Sequence, residues 1–202
     1  MSMVVSLEKN GRSFLKDQAF AFDFDGVVAD TMSLFASIGR EEFGLTDLYP
    51  EKITDYDLTR CLDVELDTLI QIITRVVSAD YNHRLAPLPG AKDILQKLAD
   101  KSGPLLFVTA RPDGESVKHW LKDTLHMGED ICEVIATGSF DAKAEILQNR
   151  GKKLFVEDRL ETCFHLKEAG IEPVLFIQPW NRRPHGFHEV RGWSDLAEFF
   201  GV

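Results

Sequence analysis

The sequence predicts an α/β fold, a parallel sheet with helices on both faces and a small helical insertion directly after the first strand. Three observations carry this. Short apolar runs alternate with amphipathic stretches along most of the chain, as strands joined by crossover helices do. The alternation breaks once, between Thr31 and Ala86. Residues able to do chemistry stand at the ends of the apolar runs, where open parallel sheets bind ligands.

The strand candidates are Ala19 to Phe24, Pro104 to Thr109, Cys132 to Thr137, Lys153 to Glu157 and Pro173 to Ile177, with a weaker run over His188 to Arg191. Helical spacing is read over Ala91–Lys101, Glu115–Leu125, Ala142–Arg150, Leu160–Ala169 and Ser194–Phe200. Gly151 and Gly170 follow two of these where a C-terminal cap belongs, and Pro87 with Pro89-Gly90 marks a loop before a new helix. The first eighteen residues read as a short strand or helix leading into the domain.

Thr31 to Phe43 reads as a helix, Pro50 to Asp57 as an irregular joint. Beyond Asp63, an expected N-cap, Leu66, Leu69, Ile70, Ile73, Val76 and Val77 recur at helical spacing. This gives a core domain over residues 1–30 and 87–202 and a helical cap over 31–86. The alternative is two extra helices of the main domain, but insertions at this edge commonly cover substrate.

The 202 residues suffice to bury a core. With 33 acids against 23 bases, the formal charge is -10, which argues against a nucleic acid polymer as partner. A small phosphorylated metabolite stays open, because one metal ion inverts the field of an acidic site. No apolar run is long enough to cross a bilayer. Cys61, Cys132 and Cys163 form neither a disulfide framework nor a zinc spacing, so a reduced, cytoplasmic setting is expected.

The strand ends deliver Asp23 and Asp25, then Thr109, then Glu157 and Asp158, and Lys143 opens the helix before the fourth strand. Each type has a job in phosphoryl transfer. Asp23 is the expected nucleophile, forming an acyl phosphate. Mg²⁺ held by Asp23, Asp158 and the carbonyl oxygen of Asp25 would let two anions approach. Asp25 would protonate the leaving oxygen and later activate water, a role served by a raised pKa that the neighbouring acids favour. Thr109, the backbone at Ala110 and Lys143 would hold phosphate oxygens, while Gly26 permits a sharp turn. Taken singly, an Asp-x-Asp-Gly turn, a Glu-Asp pair or a strand-end Thr is more often structural. Their order along four successive elements is what points to chemistry.

That order resembles the haloacid dehalogenase-like superfamily of phosphohydrolases. Its first motif corresponds to Asp23-Phe24-Asp25-Gly26-Val27-Val28, its second to Leu106-Phe107-Val108-Thr109, its third to Lys143 and its fourth to Val156-Glu157-Asp158. The resemblance runs from Ala19 over nearly the whole chain and implies a Rossmann-like core with a cap between the first and second motifs. The acid at Asp25 matches the phosphatases and mutases of that superfamily. The fourth motif departs from the common paired Asp or Gly-Asp, so Asp158 is the expected metal ligand and Glu157 acts directly or through water.

Thr109-Ala110-Arg111-Pro112, Ile53-Thr54-Asp55-Tyr56-Asp57, Gln178-Pro179-Trp180-Asn181-Arg182 and Val190-Arg191-Gly192-Trp193 look like the cytosolic 5'(3')-deoxyribonucleotidase-like branch. This implies a (deoxy)nucleoside monophosphate as substrate, with Arg111, Asn181 and Arg182 as contacts. Read from the residues alone, Arg111 serves phosphate or sugar, or pairs with Asp113. Trp180 and Phe187 stack on a base or simply pack. His185 and His188 read as separate surface histidines rather than a metal pair, and Cys163 with His165 makes no nucleophilic arrangement. A phosphosugar mutase and a non-catalytic binding protein of the same fold are the competing functions.

Overall fold

The computed structural model describes residues 11–202. The expected lead-in falls partly outside them; its residues 11–16 are helical. Six strands follow, β1 (Phe20–Phe22), β2 (Leu105–Thr109), β3 (Cys132–Ala136), β4 (Leu154–Glu157), β5 (Glu172–Phe176) and β6 (His188–Val190). They form one sheet in the order β3-β2-β1-β4-β5-β6, every neighbouring pair parallel. Seven labelled helices accompany them: α1 (Thr31–Phe43), α2 (Leu66–Val77), α3 (Ala91–Ser102), α4 (Gly114–Trp120), α5 (Lys143–Asn149), α6 (Leu160–Glu168) and α7 (Trp193–Phe200).

The two-residue side-chain period of a strand sorts the core into two layers. Phe20, Phe22, Phe107, Val156 and Phe176 face one side, where they meet Leu95 and Leu98 of α3, Trp120 of α4 and Leu196 and Phe200 of α7. Ala21, Leu106, Val108 and Phe155 face the other, against Leu147 of α5 and Leu166 of α6. Strands buried on both faces read as continuous apolar runs, which is why they were visible in the sequence. The chain winds first to one side of β1 and then to the other. That reversal leaves a crevice at the carboxyl end of β1, between β2 and β4.

The insertion is helical. Asp30 caps α1 by accepting the Ser33 N–H at 3.3 Å, and Gly44 ends it in the left-handed conformation. Helix α2 starts at Leu66 with Glu65 at its cap position and no side-chain cap bond. The expected cap Asp63 stands two residues too early, because the chain stays non-helical while Val64 packs against the core. Arg84 ties the returning chain to α1 through Glu41 and Glu42, both at 2.7 Å. Leu34 and Ile38 of α1 and Leu69, Ile72 and Val76 of α2 join the same hydrophobic cluster as the sheet.

The helix expected over Glu115–Leu125 divides. After Trp120 it widens into a π-helical turn over Leu121–Leu125 and ends at His126, which adopts φ 62°. The wider turn buries Trp120, Leu121 and Leu125 together, and the Trp120 indole donates to the Leu85 carbonyl at 2.9 Å.

Phe22 is fully buried in the central strand, its ring 5.6 Å from Trp193 and 6.0 Å from Phe107. Phe22→Ala should therefore lower the urea-derived unfolding free energy by about 3–5 kcal/mol. A loss below about 1 kcal/mol would show that the core does not centre on β1.

Candidate active site

Four strand-end segments meet in the crevice. Asp23 lies one residue past β1, and its N–H continues the ladder to the Val156 carbonyl at 2.9 Å. That bond sets its carboxylate beside the end of β4, where Glu157 and Asp158 follow. Lys143, the first residue of α5, is fully buried and bridges Asp23 Oδ2 and Glu157 Oε2, each at 2.8 Å. One ligand oxygen from each of Asp23, Glu157 and Asp158 lies within 4.8 Å of the others. The second Glu157 oxygen accepts the N–H groups of Asp158 and Arg159, at 3.1 and 3.0 Å.

Three buried carboxylates thus face one ammonium. Burial, then repulsion from Glu157, pushes the Asp23 carboxyl well above the ordinary range despite Lys143. Burial, then Glu157 and Asp23, does the same to Asp158. Burial also opposes ionisation of Glu157, but Lys143 and the hydrogen bonds around it outweigh that and hold it low. Burial works against the charge on Lys143 too, yet Asp23 and Glu157 keep it firmly protonated.

Asp25 differs from expectation. Its carboxylate receives Arg111 Nη2 at 2.7 Å and Nε at 2.9 Å, and the Thr31 hydroxyl at 2.6 Å. Burial pushes its pKa up, but the Arg111 charge and these hydrogen bonds bring it below the ordinary value. The expected rise fails because a cation from the loop after β2, Arg111, pairs with this carboxylate directly. Arg111 itself is buried over the Phe24 ring, 5.0 Å from its centroid. It does not pair with Asp113, which caps α4 through the Glu115 and Ser116 N–H groups. The fully buried Thr109 hydroxyl accepts the Arg111 N–H at 3.1 Å, which shapes the loop at Ala110.

The loop after β5 braces the site. Gln178 donates to the Gly26 carbonyl at 2.6 Å, and the Trp180 indole donates to Asp158 Oδ2 at 2.9 Å. Trp193 donates to the Val27 carbonyl at 2.9 Å. Gly26 sits at φ 69°, and a Cβ there would lie 2.2 Å from Asp158 Oδ2, so glycine is required twice over. Asn181, expected as a substrate contact, is fully buried, and its amide is spent on the carbonyls of Asp158 and Phe176 and the Gln178 N–H. These bonds hold the loop.

A family model described as "5' nucleotidase, deoxy (Pyrimidine), cytosolic type C protein" matches residues 18–201. The chain belongs to that nucleotidase family. No curated protein matches it. Among solved structures it is similar to CbbY from Rhodobacter sphaeroides in complex with phosphate, at TM-score 0.59 and 16% identity over 91% of this chain and 97% of that one. A HAD family hydrolase from Deinococcus radiodurans with bound phosphate and sodium gives 0.59 and 15% over 90% and 95%. A haloacid dehalogenase-like hydrolase from Streptococcus pneumoniae gives 0.55 and 19% over 89% of each chain. The nucleotidase-family chain is a phosphohydrolase with the Rossmann-like fold of the haloacid dehalogenase-like superfamily.

In this nucleotidase-family chain a cavity of about 520 Å³ opens over Asp23, Asp25 and Asp158, walled by α1, α2 and the Tyr56–Thr59 segment. Tyr56 packs edge-on against Phe140, and Arg159 lies over both rings. Arg182 is exposed and is not among the residues that line this cavity. His185 stacks on Phe187 and His188 lies against Phe199, so the two make separate contacts. Cys163 is buried, which pushes its thiol far up. Among the described residues no helix is long and apolar enough to cross a membrane. Trp180 was read only as a stacking or packing residue, and the bracing roles of Gln178 and Trp193 were missed. The available signal was the indole N–H, which must find an acceptor wherever a Trp is buried.

Lys143→Met leaves Asp23 and Glu157 buried without their shared cation. Measured by urea denaturation near neutral pH, it should cost about 3–5 kcal/mol, and adding Glu157→Gln should recover part of that loss. A single variant as stable as the wild type would mean that Lys143 does not balance the cluster.

Proposed function

We propose that the chain is a Mg²⁺-dependent phosphomonoesterase that works through an aspartyl phosphate on Asp23 and acts on a small phosphorylated metabolite. The observation that carries this reading is the crowding of Asp23, Glu157 and Asp158 around one lysine at the end of the central strand. Buried negative charge in that excess calls for a further cation. The donors are hard carboxylate oxygens, the kind Mg²⁺ takes, and Trp180 engages only one oxygen of Asp158. Asp23, Asp158 and the Asp25 carbonyl would hold the ion. When bound, it supplies positive charge between the Asp23 carboxylate and the phosphate dianion.

Asp23 attacks phosphorus as the ester P–O bond breaks, and Asp25 gives a proton to the departing alcohol oxygen. Water then attacks phosphorus in the acyl phosphate, handing its proton to Asp25. The bond between phosphorus and Asp23 breaks, and inorganic phosphate leaves. Lys143, the Thr109 hydroxyl and the backbone N–H at Ala110 hold the phosphate oxygens. Arg111 exchanges Asp25 for the incoming dianion, which lets Asp25 take up the proton it must deliver. Residues 31–86 serve as the cap, residues 1–30 and 87–202 as the core. The family description supports a (deoxy)nucleoside monophosphate as the first substrate to test.

The test is phosphate release from a panel of nucleoside monophosphates and sugar phosphates with Mg²⁺ present. Asp23→Asn should lower release at least about a thousandfold, and activity surviving that substitution would refute the mechanism. Isomerised sugar phosphate without phosphate release would identify a mutase, and ligand binding without either product a binding protein.

Trp180→Phe keeps the ring and removes the N–H that orients Asp158. It should raise the Mg²⁺ concentration for half-maximal activity by about tenfold or more, with much of the rate returning at saturating metal. An unchanged metal dependence would mean that Trp180 only packs.

A further inference from the structure

Helix α2 is apolar on more sides than packing requires. Leu69, Ile72 and Val76 are buried against the core, yet a second stripe of Leu66, Ile70 and Ile73 is 57%, 51% and 43% exposed. Residues 66, 70, 73 and 77 follow one another at helical spacing along one face, and all four line the cavity that contains Asp23, Asp25 and Asp158. An apolar wall is therefore continuous with the carboxylates that would receive the phosphate.

Several polar side chains around the cavity are committed to one another, and one buried donor among them, Arg111 Nη1, has no partner. Asp57 accepts the Thr59 hydroxyl at 2.6 Å and pairs with Arg60. Thr31 and Arg111 serve Asp25, and Trp180 serves Asp158. A hydroxylated leaving group lying along α2 would lose water and find aliphatic carbon, a penalty borne by each unpaired group. An apolar one would gain from every methylene it buries.

We infer that the α2 wall selects phosphate monoesters whose leaving group turns an apolar face, an alkyl chain or an aromatic ring such as a base, toward the cap, with no hydroxyl or charge on that face. The inference rests on the phosphomonoesterase reading and adds the substrate class to it. The occupant is fixed at one end, since its phosphate must reach Asp23, and the cavity of about 520 Å³ is of the size that encloses a small organic molecule.

The experiment compares kcat/KM for butyl, hexyl and octyl phosphate and for sorbitol 6-phosphate, a six-carbon chain bearing hydroxyls. Calorimetric binding of the matching alkylphosphonates is measured alongside. Each added methylene should raise kcat/KM and phosphonate affinity by about threefold, and hexyl phosphate should exceed sorbitol 6-phosphate by about a hundredfold. Ile70→Asp, at an exposed position that leaves the core intact, should flatten the chain-length dependence of both quantities. A flat wild-type series, or sorbitol 6-phosphate as good as hexyl phosphate, would overturn the inference while leaving phosphate release intact. Rising phosphonate affinity without any turnover would support the wall and defeat the phosphatase reading instead. If sedimentation shows a dimer that Ile70→Asp dissociates without changing the chain-length series, the stripe belongs to a second copy and the inference falls.

Discussion

The site is governed by one electrostatic imbalance. Asp23, Glu157 and Asp158 are buried together and Lys143 is the cation placed among them. Removing carboxylates from water costs several kcal/mol each unless opposite charge and hydrogen bonds compensate. Lys143 compensates for two of them directly, and Trp180 and the backbone N–H groups at Asp158 and Arg159 take part of the remainder. What is left is a hollow of closely spaced carboxylates that Lys143 alone does not balance. A metal ion beside a phosphate dianion is the type of guest that such a hollow favours.

The fold creates this imbalance by convergence. In a doubly wound sheet the central strand and its two neighbours end at the same edge, so β1, β2 and β4 deliver their last residues to one crevice. The parallel register sets Phe22 opposite Val156 and Phe107, and the following residues inherit that alignment. The cost of crowding charges there is borne by the Phe and Trp layer beneath, in which Phe22, Phe107, Trp193 and Phe200 are buried around β1. Rigidity then reaches the chemistry through Trp193 on Val27 and Gln178 on Gly26, which pin the loop carrying Asp25.

Most of this architecture was legible in the sequence, because strands buried on both faces announce themselves as unbroken apolar runs and a parallel sheet fixes where their ends lie. All six strands fall where the runs were read, with boundaries shifted by one or two residues. The acids and the lysine were legible for the same reason, as each stands within three residues of a strand or helix end. Interactions set by side chains distant in sequence were not. Nothing local to Asp25 foretells that Arg111 reaches it, and nothing in Gln178-Pro179-Trp180-Asn181 distinguishes a substrate loop from a brace. The bonds of the buried Asn181 amide were not legible either, because they depend on how β5 and β4 lie side by side. The two apolar stripes of α2 were visible as a set, but only packing separates the stripe that faces the core from the one that faces the cavity.

The central claim is that Asp23 takes the phosphoryl group. During steady-state turnover, rapid quenching followed by borohydride reduction converts an aspartyl phosphate to homoserine, which peptide mass spectrometry can locate. The account predicts homoserine at residue 23, formed only when substrate is present. Homoserine at Asp25 or Asp158, or sustained turnover with residue 23 always recovered as aspartate, would contradict it.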